Sequence, residues 1–254
     1  MRRMLPLYAA AAYAFLYVPV LILAVFSFNA SKFSVWQGFT WQWYREVFAN
    51  ENLMEATMHS LTIGAFCTVA ATAIGTLAGY ALWKRRSRLL TNSLYLSLLT
   101  PEIVTGVSLL AFFQWIFRFL RVPLGMHTVI LAHISFCLAY VVIVILARLR
   151  TFDPALEEAA RDLGANEWES FWYVTVPNLL PGIAAAALLC FTVSFDDYVI
   201  TSLVAGIDSE TLPMVVYAMA RKGISPMVNA LSAMITVGLG VFVILAGRLE
   251  QRQS

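Results

Sequence analysis

Six stretches of this chain are long and apolar enough to cross a lipid bilayer as helices: residues 7–28, 59–82, 92–117, 128–147, 182–204 and 226–246. A hydrocarbon core about 30 Å thick needs roughly 20 apolar residues in helical form. In lipid the backbone must satisfy its own hydrogen bonds, so runs of this kind fold as helices. The expected fold class is all-α: one polytopic membrane domain over residues 1–254, with six transmembrane helices. Composition agrees, since 60% of the 254 residues are hydrophobic and only 13% are charged. A soluble domain carries about 25% charged residues. Too few charges remain here to cover a surface in water. That excludes a soluble enzyme, a disordered chain and a nucleic-acid binder, and makes membrane lipid the expected surroundings. The net charge of +2 argues for no polyanionic partner.

The first run reads as an uncleaved anchor. Its apolar stretch, Leu7 to Phe28, exceeds the usual signal-peptide core of about 7–15 residues. Lys and Arg counts set the orientation. With the N-terminus inside, the cytoplasmic segments hold 11 basic residues, among them Arg2, Arg3, Lys84, Arg85, Arg86, Arg88 and Arg252, against 6 outside, Arg121 included. Both termini are expected in the cytoplasm. The external loop 29–58 is rich in aromatics, including Trp36, Trp41, Trp43 and Tyr44. It reads either as an interfacial aromatic belt or as a docking surface for an external partner. Cys67, Cys137 and Cys190 each lie inside an apolar stretch without C-x-x-C spacing. They read as small apolar residues of membrane helices, and neither metal nor cofactor is expected.

Residues 148–181 do not look like a passive linker. Asp153-Pro154 is a good helix start, with Asp as cap and Pro at the first position. Leu156, Ala159, Ala160 and Leu163 follow at helical spacing, and Gly164 suits a helix stop. A second short amphipathic helix sets Trp168, Phe171 and Trp172 against Glu167 and Glu169. Pro177 and Pro181 then lead into the next span. The segment carries six acids, which anionic lipid repels, so a cytoplasmic protein partner explains it better than a membrane-hugging role.

Glu158-Ala159-Ala160, three residues, Gly164, nine residues and then Val174-Thr175-Val176-Pro177 resembles the E-A-A-x3-G-x9-I-x-L-P loop of ABC importer permeases, with Val for Ile and for Leu. Ser27-Phe28-Asn29, Ser31, Trp36 to Tyr44, Ser60-Leu61-Thr62, Thr100 to Val104 and Ser194 to Val199 are similar to the spermidine/putrescine group of that family. The resemblance implies the type I importer permease fold. It implies a sister permease subunit, so that the pair is a heterodimer, and two cytoplasmic ATP-binding subunits. It also implies a periplasmic polyamine-binding protein and a place in the bacterial inner membrane. It casts 148–181 as the coupling loop, with Glu158, Ala159, Ala160, Gly164, Trp168 and Pro177 engaging the ATPase and Gly164 allowing a turn where a side chain would clash. The chain would catalyse nothing itself; it has no G-x-x-x-x-G-K-[ST] phosphate loop.

Three acids lie within the expected spans: Glu102, Asp196 and Asp197. Such groups are costly in the membrane and usually face a cavity or a partner. On one continuous helix Ser194, Asp197 and Thr201 share a face, and Thr192 and Asp196 share another. This is either an anionic stripe for an amine substrate, or a structural hydrogen-bond cap or inter-subunit contact. Glu102 follows Pro101, which can kink a helix; the pair reads equally as a pathway gate or as packing. Thr100 and Thr105 stand ready to bond the Glu102 carboxylate. His59 and His133 read as satisfied interior or interfacial histidines. No Lys or Arg falls within the expected spans, which disfavours anionic substrates. Another small cation, a metal complex, or an ion-coupled secondary transporter stays open as an alternative to polyamine import.

Overall fold

The computed structural model describes residues 5–32, 35–85, 87–120, 122–223 and 226–251, without the side chains of Leu5, Leu7, Arg88, Leu120, Leu239 and residues 242–251. Arg2, Arg3, Arg86, Arg121 and Arg252, used above for orientation, lie outside the described residues. The helices are α1 (Leu5–Phe26), α2 (Gln42–Ala49), α3 (Glu51–Arg85), α4 (Arg88–Leu99), α5 (Glu102–Leu120) and α6 (Met126–Leu149). Then come α7 (Ala155–Asp162), α8 (Glu167–Ser170), a π-turn at Phe171–Thr175, α9 (Val176–Asp196), α10 (Val199–Val204), α11 (Leu212–Arg221) and α12 (Pro226–Gln251). Among the described residues five helices are long and apolar enough to cross a membrane, beginning at Tyr8, Glu51, Glu102, Met126 and Glu167. The sixth expected run falls in α12, whose described apolar part, Pro226–Gly238, is shorter than a full crossing.

Two expected spans are interrupted. The 92–117 run is not one helix: α4 ends at Leu99 and α5 begins at Glu102. Thr100 is extended (φ −71°, ψ 128°), as the clash of a proline ring with the preceding residue dictates. The 182–204 run is broken after Asp196, where Asp197 is also extended (φ −69°, ψ 123°). At its other end this helix runs further than expected. α8, the π-turn and α9 are continuous, with Pro177 in the first turn of α9 and Pro181 inside it.

The chain forms two compact units, Met1–Glu55 with Val215–Ser254, and Ala56–Met214. In the first, α12 packs on α1 and α2. The Ser27-Phe28-Asn29 stretch is built into this unit. The buried Asn29 side chain donates to Val35 O (2.9 Å) and accepts from the Gln37 N–H (3.0 Å). The Trp43 indole donates to Asn29 O (2.7 Å) and is buried, so Trp43 leaves the expected aromatic belt. Trp36 and Trp41 stay exposed.

In the second unit α6 is the central helix, packed against α9, α4 and α10. α3 approaches it at Gly75, where an added Cβ would lie 2.5 Å from Val141 Cγ1. Cys67, Cys137 and Cys190 converge in this core, with the Cys67 and Cys190 sulfurs 3.8 Å apart. Their wide spacing in sequence gave no sign of the encounter.

Candidate substrate cleft and coupling loop

The two helix breaks open a cleft of about 450 Å³, lined in part by Thr100, Glu102, Thr105, Thr192, Asp196 and Asp197. Three aromatic rings, Phe136, Tyr140 and Tyr198, complete its wall, and no Lys, Arg or His is among its described lining residues. All three acids singled out in the sequence therefore meet at one cavity. The expected roles of the threonines change. Thr100 Oγ1 donates to Leu96 O (2.9 Å) and Thr105 Oγ1 to Pro101 O (3.5 Å), so both serve backbone carbonyls rather than Glu102. Glu102 and Asp196 are exposed.

Asp197 is different. Its side chain is only 6% exposed. Oδ2 accepts from the Thr201 N–H (2.8 Å) and the Thr201 hydroxyl (2.7 Å), which caps the first turn of α10. Ser194 and Thr201 are buried and do not line the cleft. The common-face argument fails, because no continuous helix joins them, yet Ser194, Asp197 and Thr201 still converge. His133 of α6 gathers them. Its Nδ1 lies 2.7 Å from Ser194 Oγ, and its Nε2 lies 2.9 Å from Thr201 Oγ1 and 3.4 Å from Asp197 Oδ2. The imidazole is 1% exposed. Sequence reading missed this role, although a histidine amid an apolar span must find partners for two ring nitrogens. The Ser-His-Asp composition is that of a hydrolase triad, but a buried Ser194 hydroxyl turned away from the cleft offers no nucleophile to a substrate there.

The segment after α6 carries the second set of residues. The Asp153 carboxylate accepts from the Ala155 N–H (3.0 Å), as its expected capping role requires. Gly164 ends α7 with φ +96°. A Cβ there would meet nothing within 4 Å, so backbone conformation and not a clash demands glycine, which corrects the expectation. Asn166, unremarked in the sequence, caps α8: its Oδ1 accepts from Trp168 N–H (3.0 Å) and Glu169 N–H (2.9 Å). Trp168 is exposed and stacks on Phe171, with centroids 5.8 Å apart. Glu158, Ala159 and Pro177 are exposed and Ala160 is half-buried.

Glu157, the residue before this triplet, turns inward and is 2% exposed. It pairs with Lys84 at the end of α3 and accepts from the Thr175 hydroxyl in the π-turn; Arg161 lies 4.0 Å away. Burial opposes its ionisation. Hydrogen bonds from Lys84, Thr175 and Tyr80, with the Lys84 charge, outweigh that and hold the carboxyl below its ordinary value. One buried anion thus ties α3, α7 and the π-turn together.

Known proteins place this architecture. The spermidine/putrescine transport system permease protein PotC of Escherichia coli (strain K12) is 40% identical over 251 residues, 97% of this chain and 93% of that protein. The putrescine transport system permease protein PotI of the same strain is 40% identical over 247 residues, 94% of this chain and 88% of PotI. A chain of the bacterial alginate ABC transporter, solved in complex with alginate pentasaccharide-bound periplasmic protein, superposes with a TM-score of 0.74 at 18% identity, covering 99% of this chain and 96% of that one. That likeness fixes the fold. The family described as "Binding-protein-dependent transport system inner membrane component" matches residues 71–254, which include the cleft and the coupling segment, and this chain belongs to it.

Proposed function

We propose that this chain is the permease subunit of an ATP-driven importer that carries polyamines from periplasm to cytoplasm. The observation that carries this reading is the cleft: three carboxylates and three aromatic rings with no basic side chain among its described lining residues. Its volume suits a small ligand. Carboxylates replace the water around ammonium groups through charge-assisted hydrogen bonds, and aromatic faces attract the same cations. PotC, named for spermidine and putrescine, and PotI, named for putrescine, match the chain almost end to end. Glu102 and Asp196, both exposed, are the residues that contact substrate, and Asp197, held by Thr201, shapes the wall.

Both termini face the cytoplasm in this reading, and the positively charged ends of the spans stay inside. The α7–α8 segment of residues 148–181 docks on a cytoplasmic ATPase, with Glu158, Ala159, Ala160, Gly164 and Trp168 at the contact and Pro177 at the start of the helix that moves. ATP is hydrolysed on two partner subunits. A sister permease completes the pathway and a periplasmic polyamine-binding protein delivers the cargo.

The test is polyamine-stimulated ATPase activity of the whole complex in nanodiscs. Glu102→Gln and Asp196→Asn are the variants of choice, since Asp197 also caps a helix. Loss of one charged hydrogen bond costs about 1.5–3 kcal/mol, so each should raise the KM for polyamine roughly tenfold or more. Unchanged KM in both would remove the cleft from the pathway. No response to polyamine, with another loaded binding protein stimulating, would overturn the substrate.

A further inference from the structure

We infer that Cys67, Cys137 and Cys190 form a three-sulfur site for a soft monovalent cation of the Cu(I) type, and that an ion held there locks α3 to α6 and α9. The site stands apart from the polyamine reading. Its effect on transport rests on the coupling role proposed for the α7–α8 segment.

All three cysteines of the chain meet at one place, one from each of three helices. Each is fully buried, and the three sulfurs lie within 4.8 Å of one another. Small neighbours allow the approach: Ala71 stands one turn from Cys67, and Ala186 one turn from Cys190. Gly75 against Val141 keeps α3 close to α6. Three sulfurs around one metal at about 2.3 Å form a triangle with edges of about 4.0 Å. The Cys67 and Cys190 sulfurs, 3.8 Å apart, already have that spacing. The Cys137 sulfur sits 3.8 Å from Cys190 O, and small side-chain rotations close the triangle.

The donor set selects the ion. Among the described residues no carboxylate or imidazole joins the group, and sulfur alone favours soft metals over Mg2+, Ca2+ or Mn2+. Structural zinc takes four ligands, one more than this site offers. Cu(I) brings a single positive charge. On binding it displaces one thiol proton, which leaves to solvent, and the ion is then held by one thiolate and two thiols. That set is neutral, which avoids the cost of a charge inside the membrane.

α6 ends at Leu149 and α9 follows the π-turn, so these two helices enter the coupling segment from either side. α3 reaches the same segment through Lys84 and Glu157. One bound ion therefore fixes the three helices that must move if the segment works as a lever.

The experiment counts Cu(I) on the whole complex, with the ion supplied anaerobically during reconstitution because the sulfurs are buried. Wild type should hold one equivalent more per copy of this chain than Cys67→Ala, Cys137→Ala or Cys190→Ala, and equal Zn(II) should not displace it. Amides flanking all three cysteines of wild type should exchange at least tenfold more slowly with Cu(I) than without. Equal counts in wild type and variants overturn the site, as does displacement by Zn(II). Unchanged exchange at any of the three segments overturns it even if no variant assembles. Polyamine uptake by the Cu(I)-loaded wild type should fall tenfold or more, and the alanine variants should resist. Bound Cu(I) with full uptake overturns the lock. Absence of uptake without Cu(I) overturns the polyamine reading, while the count and the exchange still decide the site.

Discussion

Lys84→Met is the most informative single change in the coupling loop. It keeps an apolar stem beside Tyr80 and Trp83, whose ring centroids lie 5.5 and 5.2 Å from the ammonium, and removes only the charge. Glu157 is then an anion at 2% exposure with Thr175 as its nearest donor and Arg161 at 4.0 Å. Deleting one partner of a fully buried pair costs about 3–5 kcal/mol, and of an exposed pair about 0–1 kcal/mol. Lys84 is 36% exposed, which puts this pair between those limits, at about 2 kcal/mol. That equals a roughly thirtyfold rise in the opening equilibrium of the loop. Hydrogen exchange of the α7 amides in the assembled complex reads it directly. Glu157→Gln should cost less, because its amide oxygen still accepts from Thr175 and Lys84 returns its charge to water. The double variant should be no worse than Glu157→Gln alone. Exchange unchanged in Lys84→Met, or costs that simply add, would refute the pairing as the tie between α3 and α7. The sign with pH follows. The Glu157 carboxyl sits below its ordinary 4.5, so the unfolded loop binds more protons between those two values. Its stabilisation is complete above about pH 4.5 and is lost as pH falls through the folded value.

Gly164→Asp should leave the permease folded but uncoupled, with ATPase activity retained and uptake lost. The φ of +96° costs a side-chain-bearing residue about 1–2 kcal/mol, which disfavours the turn without emptying a core; wild-type uptake in membrane vesicles would remove the turn from the coupling step. Gly75→Ala drives a methyl to 2.5 Å from Val141 Cγ1 and should destabilise the α3–α6 contact by about 1–3 kcal/mol, seen as a lower Tm in detergent. Val141→Ala should recover part of that loss; a Gly75→Ala protein as stable as wild type would show that α6 can shift away.

Much of this was legible because it rests on local chemistry. The apolar runs give α1, α3, α6 and the body of α9, and Asp153-Pro154 and Gly164 mark the two ends of α7. The helix breaks were harder. Pro101 announces a kink, but nothing in a span of apolar residues says that Thr100 and Asp197 both leave the helix and face one cleft. The acids stand out by their cost in lipid, whereas His133 reads from the sequence only as a satisfied interior or interfacial residue. It is satisfied, and what the spacing could not give is that its partners are Ser194, Thr201 and Asp197, some 61 to 68 residues away. Glu157 and Glu158 are neighbours of equal charge. Which one turns inward is decided by Lys84, 73 residues earlier, and only the folded chain brings them together.

The most direct measurement is uptake of labelled spermidine and putrescine into proteoliposomes holding the permease pair, its ATPase subunits and the loaded binding protein. Inward polyamine transport coupled to this chain predicts accumulation that needs ATP and ignores an uncoupler. Accumulation that survives without ATP and collapses with the uncoupler would contradict the coupling, and no polyamine accumulation beside active transport of another cargo would contradict the substrate.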